Sequence, residues 1–139
     1  QFAPIPTFSV TSYTKSKHRM ITRIHFDGLV DLLDRAVQSN PDAKAFIERP
    51  MINPIRFQAS ISAAMALQTT LLALEHLGIG YEYCDSKAWQ KLLLPKKCKG
   101  PKLKIASRDI GIRMYPVVQG IHADCDGLLI AEWSRRMKL

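Results

Sequence analysis

Lys44-Ala45-Phe46-Ile47-Glu48-Arg49-Pro50 (KAFIERP, residues 44–50) is the stretch on which the reading of this chain turns. Its short apolar centre, Ala45-Phe46-Ile47, has the length and side chains of a buried strand. The strand ends in a carboxylate, Glu48, and Pro50 then stops sheet pairing. Glu48 reads either as the surfacing end of a strand, held in a salt bridge, or as an acidic group presented at the end of a sheet.

Helical patterns lie on both sides of this strand. Upstream, Leu29, Leu32, Leu33, Ala36 and Val37 share one helical face, with Asp27 as the expected N-cap, and Ser39-Asn40-Pro41-Asp42 ends that helix in a loop. Downstream, Gln58–Leu77 is the longest expected helix, with small residues in its first half, leucines in its second, and Gly78 and Gly80 as its stop. Tyr81–Cys84 reads as a second short strand, and Asp85-Ser86 caps a helix over Lys87–Leu93. Pro95–Lys102 reads as a lysine-rich loop and Lys104–Met114 as a helix that Pro116 stops. A final helix begins near His122 or Asp124. At the front, Phe2–Val10, broken by Pro4 and Pro6, reads as an edge strand, and Thr11–Arg23 as a polar, basic loop or hairpin tip. Strands alternating with helices predict an α/β domain.

At 139 residues the chain suits one domain, able to bury about two-thirds of its unfolded surface. The hydrophobic fraction of 47% and charged fraction of 23% are those of an ordinary globular protein. No unbroken apolar run reaches the roughly 18 residues of a membrane span, so no membrane association is expected. The net charge of +8 and pI near 9.6 are unusual and favour a polyanionic partner, above all nucleic acid. Cys84, Cys98 and Cys125 are odd in number and lack C-x-x-C spacing. They predict reduced thiols in an intracellular compartment and exclude a disulfide framework. The sequence opens on Gln1, and no signal-peptide pattern stands at its start.

Two groups of residues carry candidate chemistry. In the first, His122 and Asp126 are spaced i, i+4 and share a face if the final helix includes both, while Asp124 suits a cap. With Glu48 they form a candidate set for a divalent cation, because hard cations such as Mg²⁺ or Mn²⁺ take carboxylate oxygens and phosphodiester cleavage uses carboxylates from several elements. Taken locally, a salt bridge and a helix cap are the commoner explanation of Glu48 and the acidic residues. The second group is basic: Lys15, Lys17, His18, Arg19 and Arg23 in one cluster, and Lys96, Lys97, Lys99, Lys102 and Lys104 in another. Two such clusters in a +8 chain predict phosphate contact, with Arg49 and Arg56 placed beside Glu48 in sequence. Trp89 and Trp133, among apolar neighbours, are read as core residues.

In order along the chain, these pieces resemble the RuvC-like Holliday-junction resolvases of the ribonuclease H-like superfamily, in their phage and organellar branch. FIERP (46–50) is similar to the family's "v-I-E-x-P/V" strand, and the Gln58–Leu77 helix to its central helix. YEYCDSKAWQKLLLP (81–95) resembles its strand and "P-x-x-W-K" helix. KIASRDIGIRMYP (104–116) is similar to "K-x-x-S-x-x-x-A-x-x-L-F-P". IHADCDGLLIAEWSRR (121–136) looks like the closing "D-G-x-A-E/D-A-L-L-I-A-E-Y" helix.

The resemblance implies a ribonuclease H-like fold, a mixed central sheet flanked by helices. It also implies an endonuclease that cuts four-way DNA junctions as a homodimer with Mg²⁺ (or Mn²⁺). Glu48 would be the strand-end ligand, Asp126 the helical ligand, and His122 a ligand one turn earlier, with Asp124 as its substitute. Lys104 would stand near the scissile phosphate, with Ser107 in the same motif. The family's opening strand, ending "D-x-G" in its first metal ligand, has no counterpart in these 139 residues, and FAPIPTFSV resembles its third strand. The expectation is therefore an N-terminally incomplete ribonuclease H-like domain. The alternatives are a relative without catalysis that keeps a DNA- or RNA-binding surface, and an unrelated basic α/β scaffold.

Overall fold

The strands of the computed structural model, which describes residues 3–12, 20–96, 98–120 and 125–139, are β1 (Thr7–Thr11), β2 (Met20–Ile24), β3 (Ala45–Glu48) and β4 (Tyr81–Cys84). The helices are α1 (Phe26–Ser39), α2 (Phe57–His76), α3 (Ser86–Leu93), α4 (Pro101–Met114) and α5 (Asp126–Met137), with single 3₁₀ turns at Pro54–Arg56 and Pro116–Val118. The protein is mixed α/β. Among the described residues its strands form two two-stranded sheets, β1–β2 and β3–β4, where the resemblance implies one central sheet. No residue of β1 or β2 is fully buried, so neither brings the continuous buried apolar face that a strand inside a larger sheet requires. The chain groups into two compact units, one of residues 5–45 and 50–81, the other of residues 1–4, 46–49 and 82–139.

In the unit of residues 5–45 and 50–81, β1 and β2 pair antiparallel with Thr7 opposite Ile24 and Thr11 opposite Met20. Met20–Ile24 is thus a strand, within the stretch Thr11–Arg23 expected as a loop or hairpin tip. Its β-branched Ile21, Thr22 and Ile24 favour the pleated backbone, a signal hidden among the basic residues before it. The N-cap of α1 is His25, not Asp27: its extended backbone lets Nδ1 accept from the Gly28 N–H at 3.0 Å. Asp27 instead lies within the first turn, where a negative charge suits the positive helix end. Arg23 Nη1 donates to Ser62 Oγ at 3.4 Å, tying β2 to α2, and Leu29, Ala73 and Leu74 are buried.

No charged residue occurs in α2 from Phe57 to Leu74. The segment Pro54–His76 is long and apolar enough to cross a membrane by length and composition, with a mean hydropathy of 1.3 in its best window. No unbroken apolar run shows this, because Gln, Ser and Thr residues interrupt a stretch that carries no charge up to Leu74 to offset its alanines and leucines. Only 17% of that window is buried, and Met51, Ile52, Ile55 and Phe57 at its start are exposed.

In the other unit, Cys84, Trp89, Leu94, Leu129 and Ile130 form the buried core, with Phe46, Leu103 and Trp133 packed against it. Phe46 and Trp133 meet edge to face, their centroids 6.4 Å apart, so both expected core tryptophans are core residues. Between β3 and β4, the Ala45 N–H donates to the Gly80 carbonyl at 2.9 Å and the Arg49 N–H to the Cys84 carbonyl at 3.2 Å. Partners advance together along the two chains, so the strands run parallel, and a parallel pair needs a crossover connection, which here contains α2. Asp85 caps α3 as expected, its Oδ1 accepting from the Lys87 N–H. The helix α4 starts at Pro101, earlier than the expected Lys104, because Pro is favoured in a first turn where its missing N–H is not needed.

Several contacts join α4 and the residue after it to α5 and its N-cap. A Cβ on Gly111 would collide with the Cβ and Sγ of Cys125, so the helices approach closely only because residue 111 has no side chain. Gly111→Ala is expected to destabilise the protein by about 1–2 kcal/mol, overpacking outweighing the helix propensity gained. An unchanged or raised urea midpoint would remove Gly111 from the packing argument. Further along the same pair of helices, the buried Glu132 carboxylate accepts from Tyr115 OH at 2.7 Å, from Arg135 Nε and Nη2 at 2.8 Å, and from Arg136 Nε at 2.6 Å.

Candidate nucleic-acid interface

Glu48 ends β3, and its Oε1 accepts a hydrogen bond from Trp89 Nε1 at 3.3 Å. Trp89 is 1% exposed on α3, which follows β4 directly, so the indole fixes the carboxylate from within the core. Cys84 lies in the same neighbourhood: burial, then the Glu48 charge, pushes its thiol above the ordinary value, leaving it protonated and unreactive. Arg49 lays its guanidinium over the Tyr83 ring, 5.0 Å from the centroid, an attraction of the cation for the ring face.

Asp126 opens α5, and its two oxygens have separate partners on α4. Lys104 Nζ donates to Oδ2 at 2.6 Å and Ser107 Oγ donates to Oδ1 at 2.5 Å. Ser107 is fully buried, Asp126 is partly buried and Lys104 is 60% exposed, so the ammonium reaches out from a carboxylate anchored at the core's edge. Lys104, Ser107 and Gly111 are spaced i, i+3, i+7, one face of a helix, and that face meets the start of α5. The spacing is present in the sequence, but nothing local to it names the partner that the face meets.

Lys102 and Lys104 fall in the first turn of α4, which carries no acidic residue. Cations at a helix N-terminus oppose the macrodipole by about 0.3–1 kcal/mol each, and together with the free N–H groups they concentrate positive potential at one place. Lys96 and Lys99 lie exposed in the loop before it. Anionic oxygens are what this grouping is suited to bind.

Of the residues singled out from sequence, Lys104, Ser107 and Asp126 meet in one cluster, and Glu48 stands at a strand end beside Trp89. Arg56 belongs to the other unit, where it precedes α2. Lys15, Lys17, Arg19, Lys97, His122 and Asp124 lie outside the described residues, so the expected His122–Asp126 helical pair does too; α5 is described from Asp126. Glu48 and Asp126 are hard oxygen donors of the kind Mg²⁺ or Mn²⁺ takes, and both belong to elements of one core. Among the described residues no three His, Cys, Asp or Glu side chains gather into a metal-binding group. Sequence reading missed the Trp89 hydrogen bond and the Glu132 cluster, whose partners are separated by 41 and 17 positions. A scan against family models and a search of characterised proteins each find no match to this chain.

Proposed function

We propose that this chain is the ribonuclease H-like domain of a RuvC-like endonuclease that resolves four-way DNA junctions, acting as a homodimer in a reducing intracellular compartment. The observation that carries the reading is the Lys104–Ser107–Asp126 cluster, in which the K-x-x-S motif of α4 holds the acidic start of α5. Glu48 at the strand end adds a second carboxylate on the same core. The basic first turn of α4 and the net charge of +8 supply phosphate affinity. The exposed Met51, Ile52, Ile55 and Phe57, beside the charge-free Phe57–Leu74 stretch of α2, give a second subunit an apolar surface to cover.

In this reading Glu48 and Asp126 hold Mg²⁺ or Mn²⁺, with His122 and Asp124 as the remaining ligand candidates. When bound, such a cation supplies an activated water and neutralises charge on the phosphate. Trp89 orients Glu48, Ser107 orients Asp126, and Lys104 exchanges its carboxylate partner for a non-bridging phosphate oxygen. Arg49 and the lysines Lys96, Lys99 and Lys102 bind neighbouring phosphates.

A second reading, binding without cleavage, is favoured by Asp126 having both oxygens engaged, one by an ammonium. One experiment separates the two: a labelled four-way junction and a linear duplex, each with Mg²⁺ or Mn²⁺, against the wild type and Glu48→Gln. The proposal expects selective junction cutting by the wild type, none by the variant, and junction binding by both. Equal cutting by both proteins removes Glu48 from the site. Tight binding without cutting by the wild type leaves the binding-only reading, and no preference for the junction overturns the proposal.

A further inference from the structure

A cavity of about 300 Å³ opens between α3, the loop after it and α4. Lys87 and Lys91, one turn apart on α3, and Lys96 on the loop put three ammonium groups around its walls. Among the described residues no acidic side chain lines it, and none of the three lysines is in an ion pair. Leu94, Pro95 and Leu103 give it an apolar side, and Leu94 is 7% exposed. Gln90 also lines it, and its amide both donates and accepts. Cys98 completes the lining.

From this arrangement we infer that the cavity is a subsite for one unpaired nucleotide of a bound nucleic acid, a further element of the nucleic-acid reading on which it rests. Three lysines without carboxylate partners call for phosphate. Phosphate alone leaves the apolar side unused, whereas a base out of its stack seats its faces on Leu94, Pro95 and Leu103, as apolar side chains do where bases are extruded. Gln90 then meets the base edge with a donor and an acceptor at once. The volume lies at the lower end of small-ligand sites, the size class of a single nucleotide unit. A base pair at an open crossover lacks a stacked neighbour on one side, so extruding its base costs less than it does within ordinary duplex.

Cys98 supplies the test, because Cys84 and Cys125 are both 2% exposed and Cys98 alone of the three cysteines is accessible. The rate at which an uncharged maleimide labels Cys98 is measured on the intact protein with oligothymidylate, with an abasic strand of equal length and charge, with a free nucleoside monophosphate, and with inorganic phosphate. Junction binding is followed in parallel by fluorescence anisotropy. Oligothymidylate is expected to slow labelling about fivefold or more, and the monophosphate to do so at higher concentration, while the abasic strand and phosphate leave the rate within about twofold. Gln90→Ala is expected to lose most of this protection, and an unchanged rate of labelling under oligothymidylate in that variant would overturn the contact of Gln90 with the base edge. Equal protection by the abasic strand overturns the base subsite. No protection by any probe while the junction still binds overturns it too and leaves the nucleic-acid reading standing. Protection by the monophosphate without junction binding does the reverse.

Discussion

On the proposed reading, Asp126→Asn is expected to slow junction cleavage by at least about a hundredfold, equivalent to roughly 2.7 kcal/mol of transition-state stabilisation, because one of the two described candidate ligands loses its charge. The same change is expected to make junction binding more sensitive to salt. In the wild type Lys104 Nζ rests 2.6 Å from Asp126 Oδ2 and is partly neutralised. The neutral amide of the variant would release that ammonium to a phosphate, and each additional phosphate contact steepens the dependence of log K on log salt by about 0.9. The fold has little reason to change. The amide keeps an oxygen for the buried Ser107 hydroxyl, and an ion pair whose lysine is 60% exposed contributes no more than about 1 kcal/mol. Cleavage rates and salt titrations of wild type and variant therefore separate two roles of one cluster. Unchanged cleavage would take Asp126 out of the catalytic set, and an unchanged salt slope would take Lys104 away from the phosphates.

Glu132→Gln is expected to lower unfolding stability by about 2 kcal/mol at neutral pH, the loss of charge-assisted hydrogen bonds to a buried carboxylate. Arg135, then Arg136 and Tyr115, hold this carboxyl far below the ordinary carboxylate range, and the bond to Glu132 raises the Tyr115 hydroxyl in turn. A carboxyl depressed in the folded state binds its proton more weakly there than in the unfolded chain. Its contribution is therefore complete above the unfolded value near 4.5 and is lost progressively as the pH falls below it. Urea titrations from pH 7 to pH 3 are expected to show the wild type losing stability over the acid end and the gap to Glu132→Gln narrowing there. A gap that stays constant over that range would show that the Glu132 charge is not what joins Tyr115, at the end of α4, to α5. The cluster lies on α5 itself, so its loss should also weaken whatever Asp126 does at the other end of that helix.

Local features followed from local signals. Asp85 caps α3 because an acidic residue two positions before an amide reaches it whatever the rest of the chain does. The strand at Ala45–Glu48, the second strand at Tyr81–Cys84 and the long helix between them were each legible from apolar patterning, and the charge of +8 from counting. Where two local signals competed, composition misled: His25 displaced Asp27 as the cap because its backbone is extended at that point, and Met20–Ile24 became a strand because β1 lies alongside it. The exposure of α2 and the division of the described strands into two sheets were not in any window of sequence.

By itself the sequence determined the order and kind of most elements, the basic character of the chain, and Glu48 and Asp126 as the acidic residues to watch, since these depend on side-chain type and on spacing within a turn or a pleat. Tertiary structure alone decided their partners. Trp89 reaches Glu48 across 41 positions, Lys104 and Ser107 reach Asp126 across 22 and 19, and Tyr115 reaches Glu132 across 17. Those pairings depend on how closely helices approach, which a missing side chain at Gly111 permits against Cys125. Distances of that kind are set by packing between elements far apart in the chain, and no periodicity within one element encodes them.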